Sequence, residues 1–144
     1  MEFNMITPGI ELIGTTIKHL DIVNEIADLS NKGEREFGLN INEPSFEIEE
    51  DGIYSGMIID IEINIAQDGD QKCKIDMSIE GAFLSRGQIT EEEFKRLVII
   101  NGAAALIGVA RGKLEAVTAN IFNNGKIVIP FINVIDYYRN LASD

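Results

Sequence analysis

Asp60 and Glu62 stand two residues apart in "GMIIDIEINIA", and Asp76 and Glu80 four apart in "KCKIDMSIEGAF". In an extended chain, side chains alternate between two faces, so each pair would line one face of a sheet. Carboxylates placed this way can exchange protons with a substrate, hold a divalent ion or dock a cationic partner. An open strand face provides no cleft, so a solvated acidic surface is the plain alternative. Other reactive side chains are few. The chain contains one cysteine, Cys73, and one histidine, His19. These two cannot build a His- or Cys-rich metal site, and any Ser-His or Cys-His nucleophile would depend wholly on His19. No glycine-rich phosphate loop is present, so no cofactor is expected.

These residues must be positioned by strands. In residues 57–65, Met57, Ile59, Ile61, Ile63 and Ile65 share one face and Asp60, Glu62 and Asn64 the other,. The turn "QDGDQ" (67–71) follows,. Residues 72–83 repeat the alternation, with Cys73, Ile75, Met77 and Ile79 inward and Lys74, Asp76, Ser78 and Glu80 outward. A hairpin with one buried and one wet face is the signature of an antiparallel sheet. Cys73 is thereby expected in the core. A shorter strand, "PSFEIEEDG", would place Phe46 and Ile48 inward. The first strand, residues 10–23, loses its alternation near residues 15–18, where a bulge is expected,. The polar stretch "NEIADLSNKGEREFG" between these strands reads as a mobile loop.

The period then changes. Thr90 and Glu93 in "TEEEFKRL" form a capping box, and Glu91, Glu92 and Glu93 suit the helix dipole,. The helix extends over about 90–120, about 46 Å at 1.5 Å per residue, with a possible break at Asn101-Gly102. It is apolar nearly all round and rich in small residues, so one sheet cannot bury it alone. Gly102, Ala105, Gly108, Val109 and Gly112 are the expected interface with a second subunit; a wholly intramolecular core helix is the alternative. A crossover loop at 121–132 and a short helix at 133–142, capped by Asn133, complete the chain. The fold class is α+β: a four-stranded antiparallel sheet against one long and one short helix. The chain reads as one domain over residues 1–144.

The loop "KIVIPFINVIDYY" (126–138) is the most apolar irregular segment. It can leave an accessible groove for extended peptides, or it can seal the helix onto the core. The chain of 144 residues carries a net charge of −12. That charge opposes nucleic acid and anionic membranes. The longest apolar run, residues 97–110, is 14 residues against about 20 for a bilayer span, so no membrane insertion is expected. The start, "MEFNMITPGIE", has no basic segment followed by an apolar one, so no leader is expected. With a lone cysteine, residence in the cytoplasm follows as the expectation.

The segments "IEGAFLSRGQI" (79–89), "INGAAALIGVARGKLEAVTANIF" (100–122) and "GKIVIPFINVIDYY" (125–138), in this order and spacing, resemble the SecB and SecB-like export chaperones. The likeness is good over about 54–141 and loose over 10–53. It implies a dimer of dimers with the long helices sandwiched between, and ATP-independent holding of unfolded precursor polypeptides for delivery to the motor SecA. Some SecB-like proteins instead protect an antitoxin of a toxin–antitoxin system. By position, Asp76 resembles the family's SecA-contacting acidic residue, with Asp60, Glu62 and Glu80 on the same face. Phe131, Ile132, Val134, Tyr137 and Tyr138 fall where the family lines its client groove. Phe131 replaces a usual proline and Val134 a usual Phe. "KHLDIVN" stands where the family has first-strand acidic contacts, and no counterpart of the family's long acidic tail is expected after the last helix. A hot-dog thioesterase, with a carboxylate among Glu91–Glu93, is a further reading; there, however, the helix lies among the strands rather than after them.

Overall fold

A computed structural model describes Glu2 and residues 9–143. The rest of the segment 1–8, read above as lacking a leader signature, and Asp144 lie outside the described residues. Five strands come first: β1 (Ile10–Asn24), β2 (Glu34–Ile41), β3 (Ser45–Glu49), β4 (Gly52–Gln67) and β5 (Gln71–Ser85). Then follow α1 (Glu91–Leu97), a π-helical turn (Val98–Gly102), α2 (Ala103–Ala119) and α3 (Val134–Ser143).

The β4–β5 hairpin forms as its alternation dictates. Ile59, Ile63, Ile75 and Ile79 are fully buried, and Cys73 lies among them. Asp68 and Gly69 close the turn with positive φ (48° and 78°), as a tight hairpin connection requires. The strand order is β1-β5-β4-β2, with every neighbouring pair antiparallel. β3 pairs with the first part of β4 and β2 with the remainder. β2 and β3 thus make one edge, interrupted around Pro44. The slip expected in β1 occurs between Ile17 and His19, and a second lies between Leu12 and Gly14.

Two residue assignments among the strands are corrected. Residues 34–38, expected in a mobile loop, belong to β2. That strand is polar because it is an edge with one wet face: Glu34 and Glu36 oppose Ala66 and Asn64, while Phe37 and Leu39 oppose the buried Ile63 and Ile61. Ile48, expected inward, is 68% exposed. Only Phe46 turns in, its ring edge-on to Phe94 with centroids 6.2 Å apart.

Thr90 caps α1, its hydroxyl accepting the Glu93 N–H at 3.2 Å. The helix does not break at Asn101-Gly102 but widens into the π turn, so Glu91–Ala119 runs on as 29 residues. Such a turn absorbs a local mismatch between helix and sheet. A Cβ at Gly102 would sit 3.2 Å from the Phe83 ring, and one at Gly81 3.0 Å from Leu106, so both glycines let helix and sheet close together. By length and composition alone this helix could cross a membrane. Here Phe94, Val98, Leu106, Ala110 and Leu114 are buried against the sheet.

Candidate functional site

After Asn120 the chain turns back across the long helix, and one buried hydroxyl fixes it there. Thr118 Oγ1 donates to the Leu114 carbonyl (2.7 Å) and accepts the Ile127 N–H (2.8 Å). Ile127 and Ile129 are buried; Val128, Pro130 and Phe131 between and beyond them are exposed. Arg111 holds the exposed part from the helix side. Its Nε donates to the Ile129 carbonyl (2.9 Å) and its Nη2 to the Pro130 carbonyl (3.1 Å). Its guanidinium lies 4.6 Å from the centre of the Phe131 ring, within cation–π range. Phe131 is 94% exposed. The ring is therefore held in a defined place with its other face open to solvent.

Asn133 Oδ1 accepts the Asp136 N–H (3.1 Å) and starts α3. Val134, expected to contact a client, is instead 5% exposed and part of the core. It anchors the start of α3 against the inner layer, which leaves Ile135 and Leu141 as that helix's exposed apolar residues. The Tyr137 hydroxyl accepts the Ile41 N–H (2.9 Å) and so ties α3 to β2. Tyr138 packs edge-on to Tyr137 at 5.3 Å; burial, and then the neighbouring Tyr137, push its hydroxyl pKa above the usual tyrosine value. A cleft of about 550 Å³ lies between residues 37–39 and Ile61 on the sheet side and residues 129–133, Asp136, Tyr137 and Asn140 on the other. Of the five expected peptide-binding residues, Phe131, Ile132 and Tyr137 line this cleft. Tyr138 is half-buried beside it.

The four expected docking carboxylates share the outer sheet face. Glu62 and Asp76 are direct partners across β4 and β5, and Asp21 on β1 is the partner of Asp76. Three carboxylates thus stand in one row across three strands. Like charges placed opposite one another destabilise a sheet; Lys74, 3.9 Å from Glu62, relieves the row only weakly. Asp60 opposes Ser78, whose hydroxyl donates to it at 2.5 Å, and the Asn42 amide donates at 2.9 Å. These bonds hold its carboxyl below the ordinary aspartate pKa. Glu80 sits opposite Ile58 and Thr16, apart from the row. His19, Gly38, Asp60, Glu62, Asp76 and Ser78 border a shallow hollow of about 320 Å³. Among the described residues, no group of three or more His, Cys, Asp and Glu side chains has an arrangement that could hold a metal. Burial raises the Cys73 thiol pKa above its usual value, as expected of a core cysteine. Glu91, Glu92 and Glu93 are exposed in the first turn of α1, where Glu91 pairs with Lys95 at 3.0 Å.

Ala105, Gly108 and Gly112 are exposed on the side of the long helix away from the sheet, and a Cβ at Gly108 or Gly112 would meet nothing within 4 Å. Val109 is half-buried. Gly102 does not belong to this surface. It is buried, and a Cβ there would lie 3.2 Å from the Phe83 ring.

Sequence reasoning missed three contributors. Arg111 and Thr118 act on backbone atoms 18 and 9 residues away, and no spacing rule reports such bonds. Asp21 was hidden because the β1 bulge reverses the face on which later residues fall.

No protein-family model matches the sequence, nor does any curated protein. Solved structures do match. A SecB-like chaperone from Mycobacterium tuberculosis, in complex with a ChAD peptide from the HigA1 antitoxin, aligns with 86% of this chain and 91% of its own, at a TM-score of 0.59 and 12% identity. A protein of unknown function from Streptococcus agalactiae aligns over 85% and 97% at a TM-score of 0.45 and 12% identity. The chain has the SecB-like fold: an antiparallel sheet, one long helix laid on it and a short C-terminal helix.

Proposed function

We propose that the protein is an ATP-independent holdase that binds unfolded or precursor polypeptides in the cleft between β2, the crossover loop and α3. The observation that carries this reading is Phe131, 94% exposed yet fixed by Arg111 at the mouth of an apolar cleft. An aromatic ring left in water, with a guanidinium over one face and the backbone before it bonded to the same arginine, costs solvation unless a partner covers it. The cleft makes few demands on sequence, since most of its walls are aliphatic and aromatic side chains, with Asn133, Asp136 and Asn140 among them,. No nucleotide enters this scheme. Solubility of a loaded complex is supported by the net charge of −12,. The same charge opposes adsorption to an anionic membrane surface, and residence in the cytoplasm is part of the proposal.

The outer row of Glu62, Asp76 and Asp21 is the proposed docking face for a basic partner, SecA in the export version of this reading. The small-residue outer face of α2 is the proposed contact between subunits of a homo-oligomer, a dimer of dimers. A second reading has one specific observation in its favour. The M. tuberculosis protein of the same fold was solved with an antitoxin peptide, and a chaperone dedicated to one antitoxin would use the same cleft.

The holdase reading is tested by diluting a denatured client into buffer with and without the protein, in the absence of ATP, and following light scattering. Suppression that weakens severalfold in the Phe131→Ser, Tyr138→Ser double variant supports it. Equal suppression by wild type and variant removes the cleft assignment. Capture of bound polypeptides from cells separates the two readings: many precursors favour the general holdase, a single antitoxin the dedicated one.

A further inference from the structure

An asparagine followed by glycine is the least durable amide in a polypeptide in water. With no side chain on the glycine, its main-chain nitrogen can reach the asparagine side-chain carbonyl and close an imide ring. The chain contains two such pairs, Asn101-Gly102 and Asn124-Gly125. The fold treats them differently. Gly102 is buried in the helical turn at φ −62° and ψ −46°. Helical geometry engages each N–H with an earlier carbonyl, which turns this nitrogen away from the Asn101 side chain. Asn124 and Gly125 are exposed beyond the end of α2, and the Gly125 N–H donates to no other group among the described residues.

Packing fixes both members of the second pair. Gly125 has a φ of 100°, which other residues rarely adopt, and a Cβ there would lie 2.8 Å from the Leu29 Cβ. Asn124 is held as a donor. Its Nδ2 gives to Asp28 Oδ1 at 2.8 Å, beside the same bond from Asn123 at 3.0 Å. These two bonds, Asn123 first, hold the Asp28 carboxyl below the ordinary aspartate pKa, so it is ionised at neutral pH. Two main-chain bonds complete a latch. The Leu29 N–H donates to the Asn124 carbonyl at 2.9 Å and the Asn123 N–H to the Ala27 carbonyl at 2.7 Å. The latch ties residues 27–29 to the start of the crossover loop, with Ile26 and Phe122 buried on either side of it in sequence.

We propose that Asn124-Gly125 is a self-modification site whose product releases this latch. The Gly125 nitrogen, its proton passed to solvent, bonds to the Asn124 side-chain carbonyl carbon. The side-chain carbon–nitrogen bond breaks, and ammonia leaves with a proton taken from water. Water then adds across either ring carbon–nitrogen bond and returns a hydrogen to the Gly125 nitrogen. The net change is water consumed and ammonia released. The product is an aspartyl residue or, with the main chain rerouted through the side-chain carbon, an isoaspartyl one. Either replaces a donor to Asp28 with a second carboxylate. Asp28 then faces a like charge at hydrogen-bonding distance, with Asn123 as its one remaining amide donor. The site marks the age of the molecule: conversion loosens the base of the crossover loop.

The full chain is incubated in warm, mildly alkaline buffer, folded and in denaturant, and its peptides are mapped by mass spectrometry over time. Asn124 is expected to convert at least about tenfold faster than Asn101 in the folded chain, and the two at similar rates in denaturant. No conversion at Asn124, or equal rates in the folded chain, overturns the site. A preference that persists unchanged in denaturant means that sequence and not the fold selects Asn124, and the inference falls. Asn124→Asp reproduces one product directly. Hydrogen exchange at the Leu29 and Asn123 amides is expected to rise at least about tenfold in it. Adding Asp28→Asn should return exchange toward wild type, because the repulsion is gone. Unchanged exchange in Asn124→Asp overturns release of the latch, and an equal rise in the single and double variants overturns repulsion as its cause. Aged wild type, separated from fresh chain on anion exchange by its added negative charge, must show the same faster exchange; if it exchanges like fresh chain, the inference fails.

Discussion

Arg111 is the residue on which the accessible part of the cleft depends. It combines two bonds to consecutive carbonyls with a ring contact, and a lysine cannot reproduce that fork. Arg111→Lys is expected to keep the fold, because the buried side chains of Ile127 and Ile129 still anchor the loop, but to weaken aggregation suppression severalfold as Phe131 loses its fixed position. Unchanged suppression with an unchanged melting temperature would show that the ring needs no support. Asp60 gives a second prediction at this scale. Its folded pKa is depressed, first by Ser78 and then by Asn42. The stabilisation is therefore present above the unfolded value of about 3.9 and lost as pH falls through the folded one. Urea titrations between about pH 5 and about pH 2 should show wild type losing stability faster than Asp60→Asn. Parallel curves would mean that the bonds to Ser78 and Asn42 persist in the protonated form.

At the scale of elements, the crossover loop is joined to α2 by Thr118. Thr118→Val keeps the shape and removes the acceptor, leaving the buried Ile127 N–H without its partner. A loss of about 1–3 kcal/mol is expected in denaturant unfolding, together with faster hydrogen exchange along residues 126–132. No change in either would mean that the N–H finds another acceptor. The helix–sheet approach at Gly102 is tight for a related reason. Gly102→Leu would drive a side chain into the Phe83 ring, 3.2 Å from where its Cβ would lie, at a cost of about 1–3 kcal/mol for overpacking; a melting temperature equal to wild type would contradict the packing described here. Much of this was legible beforehand. Residues 57–65 and 72–83 alternate so strictly that their pairing and inward faces follow directly. β2 was not legible, because an edge strand with one wet face has the composition of a loop, and its strand character comes from β4 alongside it.

At the scale of the molecule, the long helix has two faces with different fates. One lies on the sheet; the other presents Ala105, Gly108 and Gly112 to solvent. If this second face joins subunits, light scattering should give a mass above 15.9 kDa, most simply four times that value. Gly108→Glu with Gly112→Glu should reduce the mass, since two carboxylates per chain would be buried without partners. A monomeric wild type would end the oligomer proposal while leaving the cleft intact.

The sequence alone determined the α+β class, the hairpin, the capped helix and the buried or wet face of residues 57–65 and 73–80, because those depend on periodicity and local bonding. Only the tertiary structure decided that Val134 and Gly102 are buried, that Asp21 joins Glu62 and Asp76 across a bulged strand, and that residues 37–39 of β2 line one cleft with Phe131. These are relations between segments about 20 to about 95 residues apart, set by how closely layers approach and where a strand slips, and neither quantity is written in any local pattern.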